Sequence, residues 1–576
     1  MTVRRLRAAL VAGAAATLIA ACGTTSTTTA SSDTAVSAEV AGAVTAATGT
    51  TVEAALAAND GWVTSSDVGS GTAISLEGDT ASADSGAVSV DGDTVTITAA
   101  GTYVLSGELE GQVVVDTVDT EDVVLVLDGA TITSPTSAGI AVTNAETVVL
   151  SLADGSTNEV ADTADHADDG TSAAIDSSAD LVVTGTGSLQ VTGASNDGIN
   201  SSDGVTVESG TVVVDAADDG IRGQDSVVVL DGDVTVTAGG DGLKSDDTED
   251  VTRGYVYVAD GSVTVTAGVD GVDAATDVVV GGGTLDVTAA AKGLEGDVSV
   301  VVGDGATTVD ATDDAVHSNG AVSVTGGSLT LDSGDDGVHA DVDLTVSGGR
   351  LTVASSVEGL ESAAITLSGG DVAVTSSDDG VNASTGTTSD TGGGTGGGMG
   401  GGMADDGSTL TISGGTLVVD AEGDGLDSNG SLAVTGGDTT VYGPTGQGNG
   451  ALDSNGGITV SGGTLVAGGS AGMVETPGTD SSQGWLVWSG SASAGDTIQV
   501  TAGDGTVVAT YTAEKDAASL VVSAAGITSG ETYTVTVDGS STTVTAGEGA
   551  STGMGGGGMP GGGMGGGGMG GGRPNG

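Results

Sequence analysis

The sequence predicts an all-β fold, a parallel β-helix with about 22 residues per turn that ends in a small C-terminal β cap. A short phrase recurs between about residues 196 and 454: usually an acidic residue, then Gly, an aliphatic residue and a polar residue. A fixed period of this size is typical of stacked repeat proteins. No segment has a convincing 3.6-residue apolar period, and the chain contains no Phe and only 3 Trp and 6 Tyr. The core must therefore consist of small aliphatic layers, which stacked turns provide.

The glycine of the phrase marks the period. Its position falls at residues 198, 220, 242, 271, 293, 315, 337, 359, 380 and 425, with Ala in place of Gly at 315. The period is constant over most of this series, and the two longest steps, from 242 to 271 and from 380 to 425, contain insertions.

Each unit contains three short strand signals. In the unit that begins at residue 322, residues 322–324 and 329–331 alternate between apolar and polar, and residues 338–339 form a brief third segment. Turns at 326–327 and 335–337 separate them. We expect the glycines to serve corners where a positive φ is needed.

The N-terminus resembles a lipoprotein export signal. Arg4, Arg5 and Arg7 precede an apolar run, and the sequence Leu-Ile-Ala-Ala-Cys ends at Cys22 and resembles a bacterial lipobox. We predict a signal peptide over 1–22, lipid attachment on Cys22, and an exported protein anchored at the outer face of the bacterial cell membrane. The alternative is an ordinary secretory signal with an incidental cysteine.

Composition then divides the rest of the chain. Residues 23–60 are rich in Thr, Ala and Ser and predict a flexible tether. Residues 61–480 form the predicted β-helix, with a Gly/Met-rich loop insertion at 384–407. Residues 481–548 predict a small antiparallel cap, because a solenoid needs its open end covered, and residues 549–576 predict a disordered Gly/Met tail.

The charge balance limits the partners. Lys and Arg total 10 against 79 Asp and Glu, which gives a net charge of -69. Nucleic acid is excluded, because the chain lacks the basic footprint that phosphate binding requires. A surface this acidic attracts cations.

The residues before the phrase glycine form a file that we call the acidic ladder, interrupted once by a lysine: Asp197, Asp219, Asp241, Asp270, Lys292, Asp314, Asp336, Glu358, Asp379 and Asp424, with further acids at Asp218, Asp313, Asp335 and Asp378. Stacking places its members about 4.8 Å apart, where two unit charges repel by roughly 3–4 kcal/mol at an effective dielectric near 20. Bound Ca²⁺ would relieve this repulsion, because carboxylate and carbonyl oxygens are its preferred ligands. Alternatively, these residues are turn formers that bond their own backbone. The predicted Ca²⁺ ligands are Asp218, Asp219, Asp241, Asp313, Asp314, Asp335, Asp336, Asp378 and Asp379.

The polar residues that follow the aliphatic position form a second file, the stripe, which runs from Asp176 through Asn382 to Asp427. Such a stripe matches an extended polymer, and the lack of aromatic platforms in the repeat favours charged or cation-bridged ligands. Arg222 and Lys244 are neighbours on the stripe and could bind the carboxylate of an acidic sugar. His317 and His339 would also be adjacent there; taken singly, each histidine would be interpreted as a solvated surface residue. The predicted ligand-binding residues are Asn200, Arg222, Lys244, Asp273, Glu295, His317, His339 and Glu361.

Three segments carry a family resemblance: residues 101–107, residues 124–132, and the repeated Asp-Asp-Gly-Ile/Val phrase. Together they resemble the bacterial carbohydrate-binding-domain family of calcium-containing right-handed parallel β-helices. The resemblance covers roughly residues 60–480. It implies a right-handed helix that is similar in shape to pectate lyases and binds acidic plant polysaccharide or cellulose without cleaving it.

Three functions follow. The first is a cell-surface, Ca²⁺-containing, monomeric polysaccharide-binding lipoprotein that is not an enzyme. The second is a Ca²⁺-dependent lyase of pectate-lyase type, for which Arg222 or Lys244, beside Asp219 and Asp241, is the candidate base. The third is a structural adhesin without a glycan ligand. No nucleophile–base–orienter set or phosphate loop is recognisable in the sequence.

Overall fold

A computed structural model describes residues 37–65, 68–166, 170–385 and 405–548. The predicted signal peptide with Cys22, the start of the predicted tether, most of the Gly/Met insertion and the Gly/Met tail lie outside the described residues.

Each turn contributes one strand to each of three parallel sheets. Equivalent residues of successive turns are paired: His317 with His339, Val300 with Val322, and Val309 with Leu331. Each of these pairs is separated by one period of the sequence repeat, and the parallel β-helix is therefore confirmed.

The phrase sheet contains the short strands that carry the repeated phrase. Its strands are Thr94–Ile97, Gln112–Asp116, Ile140–Asn144, Ala173–Ser177, Asp197–Ser201, Ile221–Gly223, Leu243–Ser245, Val272–Ala274, Leu294–Gly296, Val316–Ser318, the first parts of Val338–Val346 and Leu360–Leu367, Val381–Ala383 and Leu426–Ser428.

The middle sheet follows along the chain. Its strands are Thr72–Gly78, Gly101–Leu109, Val123–Thr133, Thr147–Leu152, Asp180–Gly185, Gly204–Val207, Ser226–Val229, Tyr255–Val258, Asp277–Val280, Ser299–Val302, Ala321–Val324, the later parts of Val338–Val346 and Leu360–Leu367, Thr409–Ile412, Ser431–Val434 and Gly457–Val460.

The third sheet completes each turn. Its strands are Thr157–Ala161, Ser188–Gly193, Thr211–Ala216, Asp233–Ala238, Ser262–Ala267, Thr284–Ala289, Ala306–Ala311, Ser328–Ser333, Arg350–Ser355, Asp371–Ser376, Thr416–Ala421, Asp438–Tyr442 and Thr464–Gly469. Alternate residues of these strands point into the core, where Val, Leu and Ala of successive turns stack. Each buried Val or Leu contributes about 1.5–3 kcal/mol, which explains a stable core without Phe.

The phrase glycines do not have the positive φ that the sequence predicts. Positive φ occurs instead at the glycines between middle-sheet and third-sheet strands, such as Gly283 at 72° and Gly305 at 80°. A Cβ on the phrase glycine Gly242 would lie 2.1 Å from Val265 Cγ1 and 2.5 Å from the carbonyl oxygen of Gly271. These glycines are therefore required by the close approach of the next turn, and the corner explanation is wrong for them.

Antiparallel strands cover both edges of the β-helix. At the first turns, Ala81–Ala83 pairs antiparallel with Thr72–Gly78, and Val88–Asp91 pairs antiparallel with Thr94–Ile97. At the other end, Ala517–Ser523 pairs antiparallel with both Thr464–Gly469 and Trp485–Ala492. A separate four-stranded sheet consists of Thr497–Thr501, Val507–Thr512, Thr532–Val537 and Ser540–Thr545. These pairings cover the first strands of the middle and phrase sheets and the last strand of the third sheet, which limits the addition of further strands there.

Residues 37–60 form two helices, Ala38–Ala46 and Val52–Ala58, where the sequence predicted a flexible tether. We call residues 37–65 the strap. Ala55 packs on Val279 and Val301, and the Gly49 amide donates to Asp343 Oδ2 over 2.7 Å. Neither helix is long and apolar enough to cross a membrane, and the same holds for every helix in the described residues.

The physical reason for the strap lies in the middle sheet. Its outward positions under the strap are apolar or aromatic, as at Tyr257, Val279 and Val301, and they pair in register. Under the loop between the two strap helices the equivalent outward positions become polar: Ser323 Oγ accepts a hydrogen bond from the Thr50 amide over 2.9 Å, and Thr345 lies beneath Gly49. For residues 37–60 the tether prediction is wrong, because composition does not reveal that an apolar stripe far along the chain needs a cover.

Ala55→Asp is expected to release the strap while the β-helix stays folded. Ala55 is only 5 % exposed, so the new carboxylate would be buried against valines at a penalty of about 3 kcal/mol. Limited proteolysis should show faster cleavage within residues 37–60 than in the parent chain. Ala54→Asp, an exposed position on the same helix, is the matched control. Equal cleavage of the two variants would contradict the packing role of Ala55.

Candidate functional site

The stripe residues lie in register along one face. They occupy equivalent positions on neighbouring phrase-sheet strands, and most are half-buried. With a strand spacing of about 4.8 Å, the stripe extends over roughly 48 Å. The paired series is Asp176, Asn200, Arg222, Lys244, Asp273, Glu295, His317, His339, Glu361, Asn382 and Asp427.

The acidic ladder uses one carboxylate oxygen of most members to join successive turns. The Asp241 amide donates to Asp219 Oδ1 over 2.9 Å, the Asp270 amide to Asp241 Oδ1 over 3.0 Å, and the Asp336 amide to Asp314 Oδ1 over 3.0 Å. The side chains therefore bond the backbone of the next turn, whereas the turn-former alternative has them bond their own. In these residues one oxygen is structural and the other remains available for further contacts.

The second oxygen faces the stripe. Asp314 Oδ2 lies 2.8 Å from His317 Nδ1, and Asp336 Oδ2 lies 3.0 Å from His339 Nδ1. Lys244 contacts Asp241 in the same way, three residues earlier in the chain. The ladder and the stripe, treated separately in the sequence, form one polar surface built from i,i+3 pairs.

The two bases of the stripe are neutralised within the protein. Arg222 donates to Asp246 Oδ2 from Nε over 3.1 Å and from Nη2 over 2.5 Å. The Lys244 ammonium contacts Asp241 and lies 3.3 Å from Asp273 Oδ2. Burial opposes its charge, but the surrounding carboxylates raise the pKa of Lys244 above its ordinary value. The pair is therefore not the free cationic patch for uronate that the sequence suggested.

The predicted metal ligands fall into different surroundings. Near Asp218, the Lys244 ammonium already lies against Asp241 and 3.8 Å from Asp219 Oδ2. One oxygen each of Asp313, Asp314 and Asp335 lies within 4.8 Å of the others, which is a possible cation-binding group. Asp336 belongs to a group with His339 and Glu361. Within the described residues, Asp378 and Asp379 join no group of three such ligands.

His317 and His339 are stacked, with ring centroids 5.1 Å apart and an interplanar angle of 21°. Burial lowers the pKa of His339, but Asp336, Glu361 and Asp341 outweigh this effect and raise it to about 11. Neither histidine is the isolated, solvated residue of the alternative interpretation.

Asn382 presents an unsatisfied oxygen beside two carboxylates. Its Nδ2 donates to Glu358 Oε2 over 2.9 Å, and Glu361 Oε1 lies 3.4 Å from the same nitrogen. Its Oδ1 is buried and has no hydrogen-bond partner among the residues that the structure describes. Burial, with Glu361 and Asp336, raises the pKa of Glu358 to about 8. An oxygen-rich pocket with an orphaned acceptor fits a hard cation such as Ca²⁺.

Burial and like charges also raise the pKa values of other ladder and stripe carboxyls. The pKa of Asp197 rises to about 7, first because of burial and then because of Asp219. Burial first, and then neighbouring carboxylates, also raise the pKa values of Asp270, Asp379 and Asp424 to about 6 and the pKa of Asp427 to about 7. The ladder therefore stores repulsion that a proton or a bound cation would relieve.

Sequence reasoning missed an aromatic pair outside the stripe. Trp62 of the strap lies on Tyr257 of the middle sheet, with ring centroids 5.4 Å apart at 44°, and both side chains are half-buried. The sequence pattern of the strand could have predicted that Tyr257 points outward. Its contact with Trp62 could not be predicted, because it depends on how the strap folds. Aromatic faces of this kind suit stacking against sugar rings.

Part of the chain is similar to proteins described as carbohydrate-binding domain-containing. The family model described as "Carbohydrate-binding domain-containing protein" matches residues 91–337. A carbohydrate-binding domain-containing protein of Acetivibrio thermocellus is 37 % identical over 133 residues, which cover 22 % of this chain and 46 % of that protein. The chain thus aligns with about half the length of this relative.

A solved structure also matches. It is described as the polysaccharide lyase-like protein from C. thermocellum, as a gadolinium derivative, and is 30 % identical with a TM-score of 0.39. The match covers 45 % of this chain and 99 % of that one. The residues that the family model matches, 91–337, include the stripe from Asp176 to His317.

Proposed function

We propose that this chain is a cell-surface protein that binds polysaccharide along the stripe without cleaving it. The observation that carries the proposal is the unbroken register of eleven polar side chains on one face. A linear polymer can contact such a face repeatedly, because carboxylate and amide groups accept and donate hydrogen bonds to sugar hydroxyls. The match of residues 91–337 to the model described as carbohydrate-binding domain-containing supports a carbohydrate ligand.

Acidic glycans such as polygalacturonate would require Ca²⁺. The carboxylates of the ladder and stripe repel a uronate, and Arg222 and Lys244 are already paired with aspartates. Ca²⁺ held by oxygens such as those of Asp313, Asp314 and Asp335 would join the two anionic partners. A neutral, cellulose-like glycan needs no such bridge.

A binding role is favoured over the lyase alternative by the state of the candidate base. Proton abstraction from a uronate requires an uncharged Lys or Arg at working pH. Three carboxylates, Asp273, Asp241 and Asp219, hold Lys244 in its charged form, and Asp246 does the same for Arg222. Neither side chain is suited to act as a general base.

The position at the cell surface rests on the N-terminal sequence. Cys22 would carry the lipid after signal cleavage, and the folded body would then stand at the outer face of the membrane. Cys22→Ser is the test: the protein should move from the membrane fraction to the medium, and unchanged fractionation would argue against the anchor.

Pull-down on insoluble glycans tests the binding proposal. We expect retention on polygalacturonate with Ca²⁺ and its loss in EDTA, whereas any retention on cellulose should not depend on Ca²⁺. The double substitution Glu361→Gln with Asn382→Ala should weaken the Ca²⁺-dependent retention about tenfold or more. Asp286→Asn, an exposed change on the third sheet, is the matched control.

Two outcomes would overturn the proposal. Release of unsaturated uronate from polygalacturonate would favour the lyase. Failure to bind either glycan, with or without Ca²⁺, would favour the structural adhesin.

A further inference from the structure

The two stacked histidines occupy the middle of the stripe, and both direct Nδ1 toward the acidic ladder. We propose that His317 and His339, together with Asp314, Asp336 and Glu361, bind a divalent transition-metal ion of the Zn²⁺ class. This site is distinct in chemistry from an oxygen-only Ca²⁺ site and does not depend on glycan binding.

The distances match such an ion. Asp314 Oδ2 and His317 Nδ1 are 2.8 Å apart, and Nδ1 of His339 lies 3.0 Å from Asp336 Oδ2 and 3.4 Å from Glu361 Oε2. Ligand atoms of Asp314, His317 and His339 all lie within 4.8 Å of one another, as do those of Asp336, His339 and Glu361. Tetrahedral Zn²⁺ with bonds of 2.0–2.1 Å separates its ligand atoms by about 3.3 Å. Small side-chain shifts therefore suffice to close a shell around one ion.

The outer nitrogens of the rings also have partners. Nε2 of His339 lies 3.2 Å from Asp341 Oδ1, and Nε2 of His317 lies 3.4 Å from Asn319 Oδ1. The Asn319 amide is oriented by its Nδ2, which donates to Asp297 Oδ1 over 2.5 Å. Metal-binding histidines commonly donate their other N–H to such an acceptor, which fixes the ring and directs the free lone pair at the metal.

This arrangement leaves a place for a cation. In the neutral tautomer that donates Nε2–H outward, the Nδ1 lone pair of each ring would face a carboxylate oxygen, acceptor against acceptor. A proton or a metal ion between them removes the conflict. Asp314, His317 and His339 form one such donor set, and Asp336, His339 and Glu361 form the adjoining one, so His339 can complete the shell of an ion in either place.

The donor types select the metal. Imidazole nitrogen suits Zn²⁺, Cu²⁺ and Ni²⁺, whereas Ca²⁺ and Mg²⁺ prefer oxygen alone. The chain contains 3 histidines, and the third, His166, pairs with Asp162 away from this cluster. Two histidines in equivalent positions of successive turns therefore mark one specific site on the stripe.

Calorimetry with the EDTA-treated, dialysed full chain tests the proposal, with Zn²⁺ as the probe. We expect one Zn²⁺ per chain with a low-micromolar or tighter Kd, and millimolar Ca²⁺, which can share Asp314 and Glu361 but does not favour the imidazole nitrogens, should not displace it. The double substitution His317→Asn with His339→Asn should weaken Zn²⁺ binding at least 100-fold. Asn already occupies equivalent stripe positions at 200 and 382, so the variant should keep the parent Tm.

Two further measurements make the test sharp. Co²⁺ in place of Zn²⁺ should give the intense visible absorption of a tetrahedral site in the parent chain and not in the double variant. Glu295→Gln, a stripe change outside the ligand set, should bind Zn²⁺ as the parent does. Zn²⁺ binding that survives the double histidine substitution, or that Ca²⁺ displaces at comparable concentration, would overturn the proposal.

Discussion

Gly242→Ala is expected to destabilise the β-helix by about 3 kcal/mol, a large effect for the addition of one methyl group. The new Cβ would lie 2.1 Å from Val265 Cγ1 and 2.5 Å from the Gly271 carbonyl oxygen. Both neighbours are held by the stacked turns, and the contact with Val265 is to a β-branched side chain with little rotamer freedom. Relief therefore requires the turns to separate locally.

A second substitution should restore part of this loss. The phrase glycines at 198, 220, 242, 271 and 293 all face the Cγ1 of a valine. The one alanine at this position, Ala315, lies in the turn where the equivalent third-sheet residue is Leu331. Leucine branches one carbon further out, so it leaves room for a Cβ. Val265→Leu is therefore expected to rescue Gly242→Ala partially, and Leu331→Val is expected to destabilise the parent chain.

Hydrogen exchange and denaturant unfolding of the four members of this double-mutant cycle measure the coupling. The amides of Leu243–Ser245 should lose protection in Gly242→Ala and regain part of it with leucine at 265. Gly446→Ala is the control, because a Cβ there meets nothing within 4 Å. Equal destabilisation with valine and with leucine at 265 would assign the effect to the Gly271 carbonyl alone.

The parallel β-helix could be predicted because the sequence phrase repeats at the spacing of the turns. The constant period of the phrase puts His317 beside His339, and the observed register does the same. The stripe follows from the same arithmetic, since a strand pair displaced by one residue would turn every aliphatic residue out of the core.

The details of the site could not be predicted in this way. A period gives the neighbours of each residue but not which atom of Asp219 bonds the next backbone amide, nor that Arg222 turns to Asp246. The role of the phrase glycines was missed for a similar reason: both a close backbone approach and a positive φ favour glycine, so the sequence does not distinguish the two. The contact between Trp62 and Tyr257 required the fold of the strap.

The EDTA-treated protein is expected to lose thermal stability as the pH rises from 5 to 8. The pKa of Asp197 is raised to about 7, and those of Asp270 and Asp379 to about 6, first by burial and then by neighbouring groups. The unfolded chain gives up these protons near its ordinary pKa, so the folded state binds more protons throughout this window. Stability therefore falls with rising pH, on the order of 1 kcal/mol for each such carboxyl.

The other shifted groups of the cluster do not reverse this sign. The raised pKa of His339 also favours the folded state at low pH, and its contribution declines as the pH rises above the ordinary histidine value. The lowered pKa values of Asp314 and Glu361 act below pH 5, because above it both groups are already ionised in either state. Asp197→Asn should flatten the slope, since it removes one buried, raised carboxyl, whereas the exposed Asp286→Asn should leave it unchanged.

Ca²⁺ should oppose this loss if the ladder and stripe bind it. A cation that binds only the folded state raises Tm by mass action, and it competes with protons for the same oxygens. Scanning fluorimetry at each pH, with EDTA or with excess Ca²⁺, should therefore show a Tm increase at pH 8 that shrinks toward pH 5. A Tm in EDTA that rises from pH 5 to 8 would contradict the raised carboxyl pKa values. If Tm falls with rising pH but Ca²⁺ does not change it at pH 8, the raised carboxyl pKa values are supported and Ca²⁺ binding is contradicted, because protons alone would then relieve the repulsion.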